Sequence, residues 1–290
     1  MKRGHNLFSN LFLAPAFIIY TVFIITAVIL TFFYSTTEWN GVGAKVFNWF
    51  ANYKELVTDK DYWTVTKNTG ILVLLALIIQ NGLALLLAYL VSKVTRGYKF
   101  FRSVYFLPVV VTTAATAVMF TVMYNENGPL NVFLDFFHLG ALKSNWLSDS
   151  KLVLFSVALP QLWQFMGIQF IIMLTGIQSI PEEIIESAHI DGATDFRTLI
   201  RIIIPMMSEV IQICIIFTVT NALKSFNYAW IMTYGGPGLS SSYISVFMFQ
   251  KIFMQFDFGY GSAIAISLLF YSLVFTVIFK GYFSKKDALA

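Results

Sequence analysis

The chain is poor in charge and nearly without cysteine. Charged residues make up 12% of its 290 positions and apolar ones 58%, against about 25% charged in an ordinary soluble domain. A water-soluble globule cannot hide so much apolar surface, so the composition belongs to the membrane class. Cys214 is the single cysteine, which excludes a disulfide within the chain and any CxxC metal or redox site. It lies in an apolar run and reads as a small buried residue. His5, His138 and His189 are too far apart to offer metal-ligand spacing, so no metal site is expected. The sequence contains no GxxxxGK phosphate loop, so the chain is not expected to hold ATP. No catalytic residue is assigned: a membrane-embedded enzyme would need carboxylates or a metal cluster near one interface, and only one stretch has enough acids. The net charge of +4 and pI near 9.0 reside in particular loops. An extended basic and aromatic patch, the mark of a nucleic-acid partner, is missing.

Long apolar runs are what the chain does have. Six candidate spans occupy 11–34, 70–92, 104–124, 152–177, 206–234 and 258–279. The second run covers roughly 34 Å as a helix at about 1.5 Å per residue, enough for a hydrocarbon core of about 30 Å. The first exceeds the roughly 7 to 15 apolar residues of a signal peptide and lacks a small-x-small cleavage site, so it reads as a retained span. Pro108 is expected near the start of the third span, where proline costs least. Pro160, Gln161, Gln164 and Gln169 are expected to interrupt the fourth. The segments from 38 to 69 and from 125 to 150 read as polar loops. The expected fold is all-α, a single polytopic membrane domain over 1–290 with six transmembrane helices.

Positive charge orients it. Lys2, Arg3, Lys93, Arg96, Lys99, Arg102, Arg197, Arg201, Lys280, Lys285 and Lys286 fall on one side. The other side has Lys45, Lys54, Lys60, Lys67, Lys143, Lys151 and Lys251, four of them in one long loop with acids that match them. The positive-inside bias then gives N-in and C-in. This places 181–205, between spans four and five, in the cytoplasm.

That stretch, PEEIIESAHIDGATDFRTLIRIIIP, is the most informative in the chain. Pro181 with Glu182, Glu183 and Glu186 marks a helix start, with acids near the positive end of the dipole. Asp191-Gly192 marks a stop, since glycine takes the left-handed conformation that ends helices. Thr194 can cap a second helix. The pattern predicts a short helix, a turn and a second short helix along the inner surface.

Here the residues reach a family. Glu186-Ser187-Ala188, Asp191-Gly192-Ala193, Phe196 and Pro205 resemble the EAA loop in membrane subunits of bacterial ABC importers. Three positions depart from it: Ser187 replaces an alanine, Ile204 a leucine, and Glu209 a second proline. Phe101 to Pro108 is similar to the FFRxxYFLP of the carbohydrate-importer branch. Leu223-Lys224-Ser225-Phe226 with Met232 to Pro237 is similar to its LKxFD...TxGGP, with Asn227 at the aspartate place. Phe256 to Ala263 is similar to its FDFGYASA.

The resemblance implies a type I ABC importer permease fold in the bacterial cytoplasmic membrane and transport of a carbohydrate, a di- or oligosaccharide. It implies three kinds of partner besides membrane lipid: two ABC ATPase subunits carrying ATP and magnesium, a second related permease, and an extracellular or periplasmic sugar-binding protein. The eight EAA-loop residues would then form the coupling helix that seats in the ATPase. For the substrate path, Thr218, Asn221 and Ser225 share one face of span five, while Gln161, Gln164 or Phe165, and Ile168 share one of span four. Hydroxyls and amides beside an aromatic ring suit sugars, which have polar edges and apolar faces. The same side chains can equally bond one helix to another. Two alternatives stay open. A non-sugar solute is one, and an ion-coupled carrier the other, although spans one to four offer no acid at depth.

Overall fold

A computed structural model of the chain describes residues 13–94 and 96–287, with side chains through Gly281 apart from residue 95. Lys2, Arg3 and His5 lie outside the described residues, as do the side chains of Lys285 and Lys286. Helices dominate, in keeping with the apolar runs. Among the described residues five are long and apolar enough to cross a membrane: α1 (Leu13–Ser35), α3 (Lys60–Ser92), α7 (Val153–Gln178), the pair α10–α11 (Ser208–Thr233) and α12 (Phe258–Asp287), apolar over Phe258–Gly281. A sixth candidate is broken, α4 (Tyr98–Val110) meeting α5 (Thr113–Met123) at 91°. Two strands, β1 (Thr37–Glu38) and β2 (Val46–Phe47), pair antiparallel, a hairpin that an all-α reading does not include.

The described residues form two compact units. The smaller holds residues up to Asp59 together with Met248–Leu269. Along α1 the side chains are largely exposed, from Phe17 at 68% to Phe23 at 71%; lipid is as apolar as leucine, so such a helix gains nothing by hiding. The hairpin is closed by α2 (Ala51–Thr58), whose Asn52 amide donates to the carbonyls of Ser35 and Thr37 at 2.9 Å each. Phe258 N–H donates to Trp39 O at 3.0 Å, and the Tyr260 hydroxyl donates to Asp59 at 2.6 Å.

The larger unit spans Lys60–Phe247 and the chain from Phe270. Its helix α3 begins ten residues before the apolar run. Hydropathy locates the lipid, whereas packing sets the helix: Tyr62, Val65, Asn68, Thr69 and Leu72 recur at helical spacing and are all buried. Asn68 donates to Leu239 O at 2.9 Å and to Ser242 O at 3.1 Å. Pro108 sits near the end of α4 and not at the start of a span. The segment 98–102, expected as loop, is the first turn of that helix. Helix α7 is unbroken over 26 residues despite Pro160, so the predicted interruption does not occur. Gly167 lets α4 cross it closely, since a Cβ there would stand 2.5 Å from Tyr105 O. The expected loop at 125–150 contains α6 (Pro129–Phe136).

Two apolar clusters hold this unit together. One gathers Leu72, Val157, Val219, Tyr228 and Tyr243. The other joins Ala84, Ala88, Phe170, Leu174, Ile203 and Met207 around Cys214, so the lone thiol is buried as expected.

Candidate functional site

The acidic stretch folds as α8 (Glu182–Ile190), a turn, and α9, which runs from Asp195–Thr198 through a π-helical Leu199–Ile203 to Ile204–Met206. Pro181 is extended and precedes the first helical residue. The helix ends as its residues dictate: Gly192 has φ +78°, its N–H donates to His189 O at 3.0 Å, and the Ala193 N–H donates to Ala188 O at 2.9 Å. This paired closure satisfies carbonyls that a helix end would otherwise leave bare. The Thr194 hydroxyl accepts from Arg197 N–H at 3.4 Å and opens α9. On α8, Ala188 is buried and Ile185 is half-buried against the second cluster, while Glu182, Glu183, Glu186 and Ser187 are exposed. Asp191 and Gly192 are also exposed, as is Pro205. Two apolar side chains flank the turn in the open, Ile190 at 86% and Phe196 at 72% exposure.

The turn is tied to the end of α3. The Lys93 ammonium lies 2.5 Å from the Asp195 carboxylate and over the Tyr89 ring, and the Tyr89 hydroxyl donates to Asp195 O at 2.9 Å. Hydrogen bonding to Lys93 holds the Asp195 carboxyl below its ordinary range. For Lys93, burial lowers the ammonium pKa, but the bonds to Asp195 and Tyr89 outweigh it and the net shift is upward. His189 bonds Ala193 O at 3.2 Å, so it belongs to the turn.

A second feature lies among α5, α7, α10 and α11. Helix α10 (Ser208–Leu223) stops and α11 (Asn227–Thr233) begins three residues on. Beside this break is a cavity of about 190 Å³, lined by Gln161, Phe165, Asn221 and Ser225 along with Thr113, Lys224, Phe226, Asn227 and Tyr228. Ser225 donates to Gln161 Oε1 at 2.5 Å.

A family model described as "Binding-protein-dependent transport system inner membrane component" matches residues 80–286, more than two-thirds of the chain. The chain belongs to this family. A probable ABC transporter permease protein of Pyrococcus horikoshii is 36% identical over 277 residues, covering 94% of this permease and 95% of the relative. The trehalose/maltose transport system permease protein MalF of Thermococcus litoralis is 28% identical, covering 96% and 94%. A crystal structure of a bacterial ABC transporter involved in the import of the acidic polysaccharide alginate contains a chain of like fold. Its TM-score is 0.83 at 20% identity, with 98% of this chain and 96% of that one covered.

Within the permease the proposed path residues divide. Gln161, Phe165, Asn221 and Ser225 meet at the cavity; Gln164, Thr218 and Ile168 do not line it. The Gln164 amide donates to Pro108 O at 3.2 Å and Val111 O at 2.5 Å, and its carbonyl accepts from the Tyr228 hydroxyl. Val111 O lies at the α4–α5 break, and Pro108 O accepts the Val111 N–H at 3.3 Å as well, so Gln164 braces the break. Thr218 donates to Asn81 at 3.0 Å and accepts from Gln169 at 2.7 Å, binding α10 to α3 and α7. Thr113 and Tyr228 line the cavity without a sequence expectation. Tyr228 comes from the first turn of α11, across the break from Lys224.

Proposed function

We propose that the chain is the permease subunit of an ATP-driven importer, forming half of the path by which a di- or oligosaccharide crosses the bacterial cytoplasmic membrane. The observation that carries this reading is the exposed acidic helix ending at Gly192, with Ile190 and Phe196 bare beside it in a chain without a phosphate loop. Apolar side chains ringed by charge form the kind of surface that a protein partner covers. The partner is a pair of ATPase subunits carrying ATP and magnesium. Glu186 pairs with one of their basic residues, and Ser187, Ala188, Asp191, Ala193 and Pro205 shape the docking element.

The spans number six when α4 and α5 are one, with both termini inside. A second, related permease completes the path, and a binding protein, which the family's description names, delivers the solute. The named sugars of MalF and the mixed polar and aromatic lining beside Phe165 support a carbohydrate. Reconstituting the complex with its binding protein and measuring sugar-stimulated ATP hydrolysis tests this. Hydrolysis and uptake should rise together with a di- or oligosaccharide; uptake driven by an ion gradient without ATPase subunits would overturn it.

A further inference from the structure

The membrane cavity carries one formal charge, and nothing opposes it. Lys224 stands in the break between α10 and α11 with an exposed side chain, and no carboxylate lines the cavity with it. Among the described residues it makes no ion pair. Position 227, one residue past Phe226, is asparagine, so its side chain adds amide groups without charge. A cation in a membrane cavity is costly and is normally paired with an acid or a ligand.

The remaining polar groups lean the same way. The Gln161 carbonyl oxygen is taken by the Ser225 hydroxyl, which leaves its amide N–H groups for the cavity. The Tyr228 hydroxyl is spent on Gln164. Lys224 and the Gln161 and Asn227 amides supply donors here, beside the neutral side-chain oxygens of Thr113, Asn221 and Asn227, and Phe165 adds an aromatic wall.

We propose that this cavity selects carbohydrates bearing an anionic oxygen group, which pairs with Lys224 while the Gln161 and Asn227 amides donate to it or to neighbouring hydroxyls. The inference rests on the carbohydrate reading above and names the substrate class within it. Charge-assisted hydrogen bonds are roughly twice as strong as neutral ones, so Lys224 discriminates between an acidic sugar and a neutral sugar of equal size.

The test uses the assembled transporter in proteoliposomes with its binding protein. Uptake of a uronic-acid disaccharide and of a sulfonated sugar is compared with that of neutral analogues, for the natural chain and for Lys224→Gln, Lys224→Arg and Asn227→Asp. The natural chain should favour an acidic sugar, and whichever acidic probe it prefers names the anion. Lys224→Gln and Asn227→Asp should each lower the acidic-to-neutral uptake ratio about tenfold, while Lys224→Arg preserves it. The binding protein is a separate chain and its own affinities are unchanged, so a moved ratio belongs to the permease. Uptake confined to neutral sugars overturns the inference, as does a ratio that neither Lys224→Gln nor Asn227→Asp moves, or equal loss of both sugars. Transport of a non-sugar solute alone would remove the carbohydrate reading and this inference with it.

Discussion

The Lys93 ammonium and the Asp195 carboxylate are 2.5 Å apart, 102 positions apart in the chain, and they join the end of α3 to the turn beneath α8. An exposed pair adds little to stability, so the coupling role proposed for α8 supplies its use: a push on α8 would reach α3 through Asp195. Lys93→Ala and Asp195→Ala should leave Tm almost unchanged and lower uptake per ATP hydrolysed several-fold, and the exchange Lys93→Asp with Asp195→Lys should recover part of it. Because Lys93 holds the carboxyl below its ordinary range, the link is intact at neutral pH and fails only as pH falls through that lowered value. Uptake and hydrolysis measured together would check this; unchanged coupling in both single variants would count against it.

Gly192 offers a cleaner separation of folding from docking. Its φ is +78° and a Cβ there would meet nothing within 4 Å, so a side chain costs only backbone strain, about 1–2 kcal/mol for an ordinary residue. Asparagine tolerates that conformation best. Gly192→Asn should therefore assemble and transport nearly normally, while Gly192→Asp assembles but loses sugar-stimulated ATP hydrolysis, its added carboxylate standing where the ATPase must approach. Normal hydrolysis and uptake in Gly192→Asp would remove the coupling role.

These two residues differ in how far the sequence alone reveals them. The turn at Gly192 and the cap at Thr194 are local events, decided by residues within four or five positions, and both are legible from composition and spacing. The Lys93–Asp195 link is not, since nothing in either neighbourhood names its partner. The membrane spans are legible because apolar length is their physical cause. The break at 110–113 escapes notice because the group that satisfies Val111 O, the Gln164 amide, is more than fifty positions away. The early start of α3 is missed for a related reason: Tyr62, Val65 and Asn68 are buried by protein, not by lipid. Among the proposed path residues, face periodicity picks out the cavity-lining Gln161, Asn221 and Ser225 but cannot tell them from Thr218, whose hydroxyl the neighbouring helices consume.

Glu55 gives the smaller unit a pH signature. Burial raises its carboxyl pKa first, then the charges of Asp257 and Asp59, with Lys251 opposing. A carboxyl raised on folding holds its proton to higher pH than in the unfolded chain, so stability falls as pH rises through that window and is regained on acidification. Thermal unfolding of the complex should shift to higher temperature as pH is lowered from neutral toward the ordinary carboxyl range, and Glu55→Gln should reduce that shift. A shift of full size in Glu55→Gln would assign it to other groups.

Gln164 and Asn221 stand close in the membrane yet should fail in opposite ways. Gln164 is buried and satisfies two backbone carbonyls and the Tyr228 hydroxyl. Leucine there would strand Val111 O and the Tyr228 hydroxyl at a cost of about 1–3 kcal/mol for each unsatisfied group, while Pro108 O keeps the Val111 N–H. Gln164→Leu should therefore lower the yield and Tm of the assembled complex, with transport falling in proportion to the protein lost. Asn221 is exposed beside the cavity, and its amide donates to Phe217 O at 2.8 Å within its own helix, a carbonyl in the helix ladder. Asn221→Ala should leave assembly and Tm within about 0.5 kcal/mol while reducing uptake per transporter. Reversal of the two phenotypes, with Asn221→Ala unstable and Gln164→Leu stable but inactive, would exchange the path role proposed for Asn221 and the frame role of Gln164.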